Sequence, residues 1–281
     1  MRRMRRICLP ILLAVTVSCS TTKLAVPDQF SSVSTRYPVK GAQGWMVNQH
    51  LSFGDYSTSR IKRGWHIKSS VRYNNVWIPA PEVLGNIFGA EMMEEGKHEK
   101  AKIRYTLTNT HNSAEIFGSE FYDSHDVVLN AGRIPVIGGE YSTLLNSSYI
   151  YTAAIVPNDT SGTGLWSLLM ARNYDIRKDT SHRIFDAPYV EEEGYATNGR
   201  DTVKIRTLNL NTFMNKNGKV SNTLLGARIL SGYELSTEDG VVGIIDSMDK
   251  AIWLYNDQEE KLKFILSAMG TAILLKQIER Q

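Results

Sequence analysis

The chain has 281 residues, 42% of them hydrophobic, and its 32 Lys and Arg against 29 Asp and Glu give a formal charge of +3. That is chain enough for one large domain or two small ones with an apolar core, and too rich in aliphatic and aromatic side chains for wholesale disorder. Two cysteines exclude a disulfide-stapled scaffold, and so small a net charge makes the location of the charges more informative than their sum.

Residues 1–6 carry four arginines, residues 7–17 are almost entirely apolar, and the small Ser18 precedes Cys19. These are the parts of an export signal, and the apolar run is too short to cross about 30 Å of hydrocarbon as a permanent helix. Thr16-Val17-Ser18-Cys19 resembles the lipobox of bacterial lipoproteins, with Thr16 where that family usually carries Leu. The resemblance implies removal of residues 1–18 as a signal peptide and acylation of Cys19. Because Ser20 follows rather than Asp, it also implies sorting to the outer membrane, with the leaflet left open. A plain signal peptide cut near Ser18 is the alternative. Each buried CH₂ of an acyl chain contributes about 0.8 kcal/mol, so such an anchor is covalent and hydrophobic rather than electrostatic. Cleavage before Cys19 would leave 28 bases against 29 acids, a formal charge of −1, and one cysteine already bonded to lipid. The apparent basicity then belongs to the export signal, and nothing in the mature charge points to nucleic acid.

Residues 19–38 include Pro27, Ser31, Ser32, Ser34 and Thr35 without a sustained apolar period, which predicts a lipidated tether. The globular region is expected over 39–281, as one domain or as two with a boundary near 125–165. Trp45, Val47 and residues 51–53 lead to the turn-forming Gly54-Asp55, and residues 61–67 follow, predicting an early hairpin. Between 79 and 96 the period changes: Pro81, then Val83, Leu84, Ile87 and Phe88, predict a short amphipathic helix. The charged run 94–100 predicts a solvated loop.

Residues 102–108 alternate through Ile103, Tyr105 and Leu107, pause at 109–113 and resume over 116–122 as a hairpin. Residues 149–156 and 165–174 form a second candidate pair around the Pro-, Asn-, Asp- and Gly-bearing join 157–164. Residues 183–185 and 203–210 add short strands, and Glu191-Glu192-Glu193-Gly194 between them predicts another solvated segment. Residues 224–235, 241–245 and 251–255 then predict a three-stranded meander. Asn256, with Glu259 three residues on, has the spacing of a capping box at a helix start. Leu262, Ile265, Leu266, Met269, Ala272 and Ile273 share one face, while Lys263, Ser267 and Thr271 make a narrow polar stripe. Lys263 and Lys276 bound an apolar run shorter than the roughly 20 residues a membrane span needs, which predicts a core helix. The expected fold class is α+β and β-dominated, with antiparallel sheets arranged as a sandwich or barrel-like body and closing with a C-terminal β-β-β-α unit.

The chemistry-bearing residues are sparse. His50, His66, His98, His111, His125 and His182 are scattered without a metal-ligand spacing, so neither a metal nor a cofactor is expected. Ser124-His125-Asp126 are chain neighbours, which rarely face one another as a triad must, and no GxSxG elbow is present. Asp159-Thr160-Ser161-Gly162 is similar to the aspartic-protease turn but has Ser at the place of the required Gly and no second copy. No glycine-rich phosphate loop is present. Asp55, Glu120, Asp123, Asp126 and Asp246 near strand ends are the carboxylates a glycan hydrolase would draw on. Trp45, Tyr56, Trp65 and Trp77, interleaved with Arg60, Lys62, Arg63, His66 and Arg72, are the candidate ligand-binding aromatics. Aromatic faces beside polar donors stack on sugars, whereas alternate aromatics in a strand equally face a core. The expected function is a non-enzymatic envelope lipoprotein, a binding or assembly module with a glycan or an envelope protein as partner. The alternatives are a glycan-active hydrolase and an adhesin or filament subunit.

Overall fold

A computed structural model describes residues 26–42, 47–73, 91–130, 140–158, 164–177, 192–210, 212–214, 220–222 and 229–278. A short helix, α1 (Asp28–Ser31), leads into β1 (Ser34–Pro38). Then come β2 (Ser52–Phe53), β3 (Tyr56–Thr58), β4 (Lys62–Arg63) and β5 (Ile67–Tyr73). Three long strands follow, β6 (Glu91–Thr108), β7 (Ser113–Asn130) and β8 (Glu140–Pro157), and then β9 (Trp166–Asp175), β10 (Glu193–Thr197) and β11 (Thr202–Leu210). A small separate pair, β12 (Thr212–Met214) and β13 (Val220–Asn222), precedes β14 (Ile229–Thr237), β15 (Gly240–Asp246), β16 (Ala251–Tyr255) and the helix α2 (Glu260–Leu274).

Fourteen of the strands form one antiparallel sheet in the order β1-β16-β15-β14-β11-β10-β9-β8-β7-β6-β3-β2, with β4 and β5 also on β6. The sheet curls into a nearly closed barrel. Its two ends meet where Lys40, just past β1, exchanges backbone hydrogen bonds of 2.9 and 3.2 Å with Ser52 of β2. Helix α2 fills the interior, and every residue from Phe264 to Leu274 is buried. A helix buried on all sides must satisfy the polar groups of its stripe from the barrel wall. Thr271 donates to the Ala268 carbonyl and so accepts from Tyr105 at 2.8 Å, and Tyr151 donates to the Ala272 carbonyl at 2.8 Å. No helix among the described residues is long and apolar enough to cross a membrane.

The two barrel ends differ. At the near end lie α1, the start of α2 and tight turns at 109–112, 198–201 and 238–239. The far end holds the β15–β16 turn and the starts of β6, β8 and β10. The near-end turns are set by side chains: Asn109 Oδ1 accepts from the His111 and Asn112 amides at 3.1 and 2.6 Å, and Asn198 Oδ1 from Arg200 and Asp201 at 2.9 and 2.8 Å.

The β-dominated antiparallel class, the 102–122 hairpin, the β8–β9 pair, the C-terminal meander and the core helix match expectation. Several expectations give way. Residues 28–38, read as tether, contain α1 and a barrel strand, because β1 supplies the last partner for β16 from Ser34↔Tyr255 to Pro38↔Ala251. Gly54, at φ 53°, does turn the chain, but between β2 and β3, and 61–67 breaks into β4 and the start of β5. The 94–100 run is strand rather than loop, because its charges find partners on both neighbouring strands. Asn256 does not cap α2. Its Oδ1 accepts from Thr35 at 2.6 Å, and the helix starts later, with Glu259 at the N-cap position and no side-chain cap. The expected helix within 79–96 and the strand at 183–185 fall mostly or wholly outside the described residues.

Candidate functional site

Inward-facing side chains alternate along each strand, so the barrel wall can be read in layers from the near end to the far end. The near layer surrounds a cavity of about 580 Å³, within the roughly 300–1,000 Å³ range of ligand pockets. Its apolar floor is Trp166 of β9, Val203 of β11 and Leu262 and Ile265 of α2. Its rim is polar, from the β10–β11 turn (Asn198, Arg200, Asp201), the β14–β15 turn (Glu238, Asp239) and the start of α2 (Glu259, Lys261). Trp166 is 2% exposed, and its buried indole N–H meets no acceptor among the described residues. A second cavity of about 470 Å³ adjoins the first through Asp239 and Gln258 and is flanked by Phe30 of α1.

Beneath the end of α2 lies a closed polar cluster. Glu120 of β7 accepts from the Gln277 and Ile278 amides at 2.6 and 3.0 Å and from the Tyr149 hydroxyl at 2.9 Å. Glu192 accepts from Lys276 Nζ at 2.5 Å and from the Tyr233 hydroxyl at 3.2 Å. Lys276 also donates to Tyr233 at 2.7 Å, and its ammonium lies 4.7, 5.4 and 5.9 Å from the ring centres of Tyr233, Tyr149 and Tyr151. Burial pushes the Lys276 pKa down against the pull of Glu192 and Glu120, and burial followed by those same carboxylates pushes the Tyr149 hydroxyl far up, so that it stays a donor. Glu120 and Glu192 are 3% and 1% exposed and already engaged by these donors. Neither lines the cavities above, and the cluster therefore works as a lock on the helix end.

Toward the far end, Arg72, Glu95, Lys97 and Asp126 tie β5, β6 and β7 together. Lys97 Nζ lies 2.7 Å from Asp126 and 3.4 Å from Glu95, and Arg72 lies 3.3 Å from Glu95. Burial works to raise the Glu95 pKa, but Arg72 and Lys97 outweigh it and hold it below the ordinary carboxylate value. Burial likewise works to lower Lys97, yet Asp126 and Glu95 hold it above the ordinary lysine value. In the acid window the unfolded chain binds the Glu95 proton first. Stability from Glu95 is therefore complete above its unfolded pKa and is lost as pH falls through the lower folded value. Glu95→Gln is expected to flatten the acid limb of a denaturant-midpoint profile between about pH 3 and 5. A limb as steep as in the parent would show that other carboxylates carry it.

The residues singled out in the sequence are dispersed. Tyr56, 5% exposed, stacks on Phe53 with centroids 4.9 Å apart, the core-facing placement that strand alternation allows. Trp65 is 91% exposed, and Trp45 and Trp77 lie outside the described residues. Neither Tyr56 nor Trp65 lines the near-end cavity. Ser124 and Asp126 face inward on β7 with His125 on the opposite face, so the three form no triad. Among the carboxylates, Asp55 sits in the exposed β2–β3 turn and Asp123 lies 3.3 Å from His98. Asp246 accepts from the Met248 and Asp249 amides, both at 2.9 Å, and so shapes the β15–β16 turn. No group of three or more potential metal ligands occurs among the described residues. Glu192 and Lys276 were legible only as a charge in a run of glutamates and a lysine closing an apolar helix. Glu192 is buried just before β10, a correction to its reading as solvated.

No family model matches the chain, and no curated protein or solved structure matches it.

Proposed function

We propose that the chain is a non-enzymatic lipoprotein of the bacterial envelope, anchored to the outer membrane through Cys19, whose barrel is a binding or assembly module. The observation that carries this reading is Thr16-Val17-Ser18-Cys19 at the end of an arginine-led apolar segment, with the described fold starting only seven residues after Cys19. The near-end cavity, with an apolar floor and a rim of both charges, supports binding as the role of the barrel. The buried carboxylates do not favour the hydrolase reading: Glu120 and Glu192 are committed to backbone amides, tyrosines and Lys276 rather than to an open cleft. Cys19→Ala is expected to abolish acylation and move the protein from the membrane to the soluble fraction, as read by mass spectrometry and fractionation. A variant that still fractionates with the membrane would overturn the anchor.

A further inference from the structure

From the strand directions and the length of the tether we infer that the near end of the barrel, with α1, the start of α2 and the 580 Å³ cavity, faces the membrane, and that the far ends of β5–β8 point away. This inference rests on the lipid-anchor reading. The strand directions and the end of the barrel at which the described chain enters are independent of that reading. The described chain enters at residue 26, and α1 lies at the near end, where Gln29 and Phe30 line a cavity together with Asp239 and Gln258. Val26 lies seven positions after Cys19. At no more than about 3.6 Å per residue the acylated cysteine stays within about 25 Å of the near end. β7 has 18 residues, about 60 Å of strand at roughly 3.3 Å per residue and about 45 Å of height at a typical barrel tilt. Placing the far end on the bilayer would require a tether longer than the height of the barrel.

Charge does not supply this orientation. The exposed near-end groups Asp201, Glu238, Asp239, Asp257, Glu259 and Glu260 outnumber Arg200 and Lys261, so an anionic surface repels this end. The tether alone sets the orientation, and it keeps the near end within about 25 Å of the acylated Cys19, with the cavity turned toward the membrane surface from which a ligand would be drawn.

The test uses the acylated full-length protein in phosphatidylcholine vesicles bearing a headgroup-attached quencher. Glu238→Cys places a fluorophore at the near end, and Val71→Cys places one on β5, paired with Gly96 toward the far end. Arg200→Cys and Ile67→Cys form a second pair should either of the first fail to fold. The near-end label is expected to be quenched several-fold more strongly than the β5 label, and to the same extent at low and high salt. Equal or reversed quenching on protein that still floats with the vesicles would mean that the barrel lies on its side or inverted, which overturns the orientation and leaves the anchor intact. Absence of acyl groups on Cys19, with no flotation, would overturn both.

Discussion

Glu192→Ala is expected to destabilise the barrel by about 3–5 kcal/mol, because it leaves the ammonium of Lys276 buried without its counter-charge. In a domain of this size that corresponds to a fall in Tm of roughly 6–20 °C. The Lys276 side chain is 9% exposed and that of Glu192 2%, so water does not replace the lost carboxylate. The hydrogen bond from the Tyr233 hydroxyl to Glu192 is lost in the same step. Lys276 already has its pKa lowered by burial, and removing Glu192 takes away the largest charge opposing that shift. A lysine whose folded pKa lies below its unfolded value costs stability at low pH, and that cost is relieved as pH rises toward the ordinary lysine range. The deficit of Glu192→Ala is therefore expected to shrink between neutral and alkaline pH. The double variant Glu192→Leu with Lys276→Met, which fills the space without charge, is expected to recover most of the loss. Urea midpoints across pH test all three statements. A single variant as stable as the parent would mean that the pair does not lock the helix end.

Strand alternation made the barrel body legible in the sequence, and cross-strand charge pairing hid its extent. Ile103, Tyr105 and Leu107 revealed β6 because one face of that segment meets the core. Residues 94–100 of the same strand carry charge on both faces and therefore read as loop. What stabilises them there is pairing with Arg72, His66 and Asp126, which lie 23, 33 and 29 positions from their partners in sequence. α2 was visible from its 3.6-residue period, but the fate of its polar stripe was not. Ser267 and Thr271 read as part of a narrow polar stripe and are fully buried, because the barrel surrounds the helix and Tyr105 meets Thr271 from 166 residues upstream. The near-end cavity left no sequence signal at all: two turns and a helix start build its rim, and turn residues are chosen for backbone geometry before they are chosen for ligands.

The closure of the barrel yields the second large effect. Among the described residues, β1 and β2 are joined by one pair of backbone hydrogen bonds, Lys40 to Ser52, whereas the long strands β6, β7 and β8 are joined by extended ladders. Aromatic packing reinforces this seam from inside. Tyr37 of β1 meets Phe53 and Tyr56 edge-on at 6.4 and 6.3 Å, Phe53 stacks on Tyr56, and Tyr56 stacks on Phe264 of α2 at 6.3 Å. Phe264, 3% exposed, thus reaches the seam through Tyr56, whose ring meets Tyr37 of β1 and Phe53 of β2. Phe264→Ala is expected to cost about 3–5 kcal/mol, the range for emptying a buried phenylalanine site, and Phe264→Leu less than about 1.5 kcal/mol. The pattern of loosening matters more than its size. Amide exchange at Lys40 and Ser52 should accelerate under native conditions in Phe264→Ala beyond the change seen in the β7–β8 ladder, because the seam opens locally before the barrel unfolds. Uniform acceleration across all strands would show instead that the seam is no weaker than the rest of the sheet, and that α2 stabilises the barrel as a whole rather than at its join.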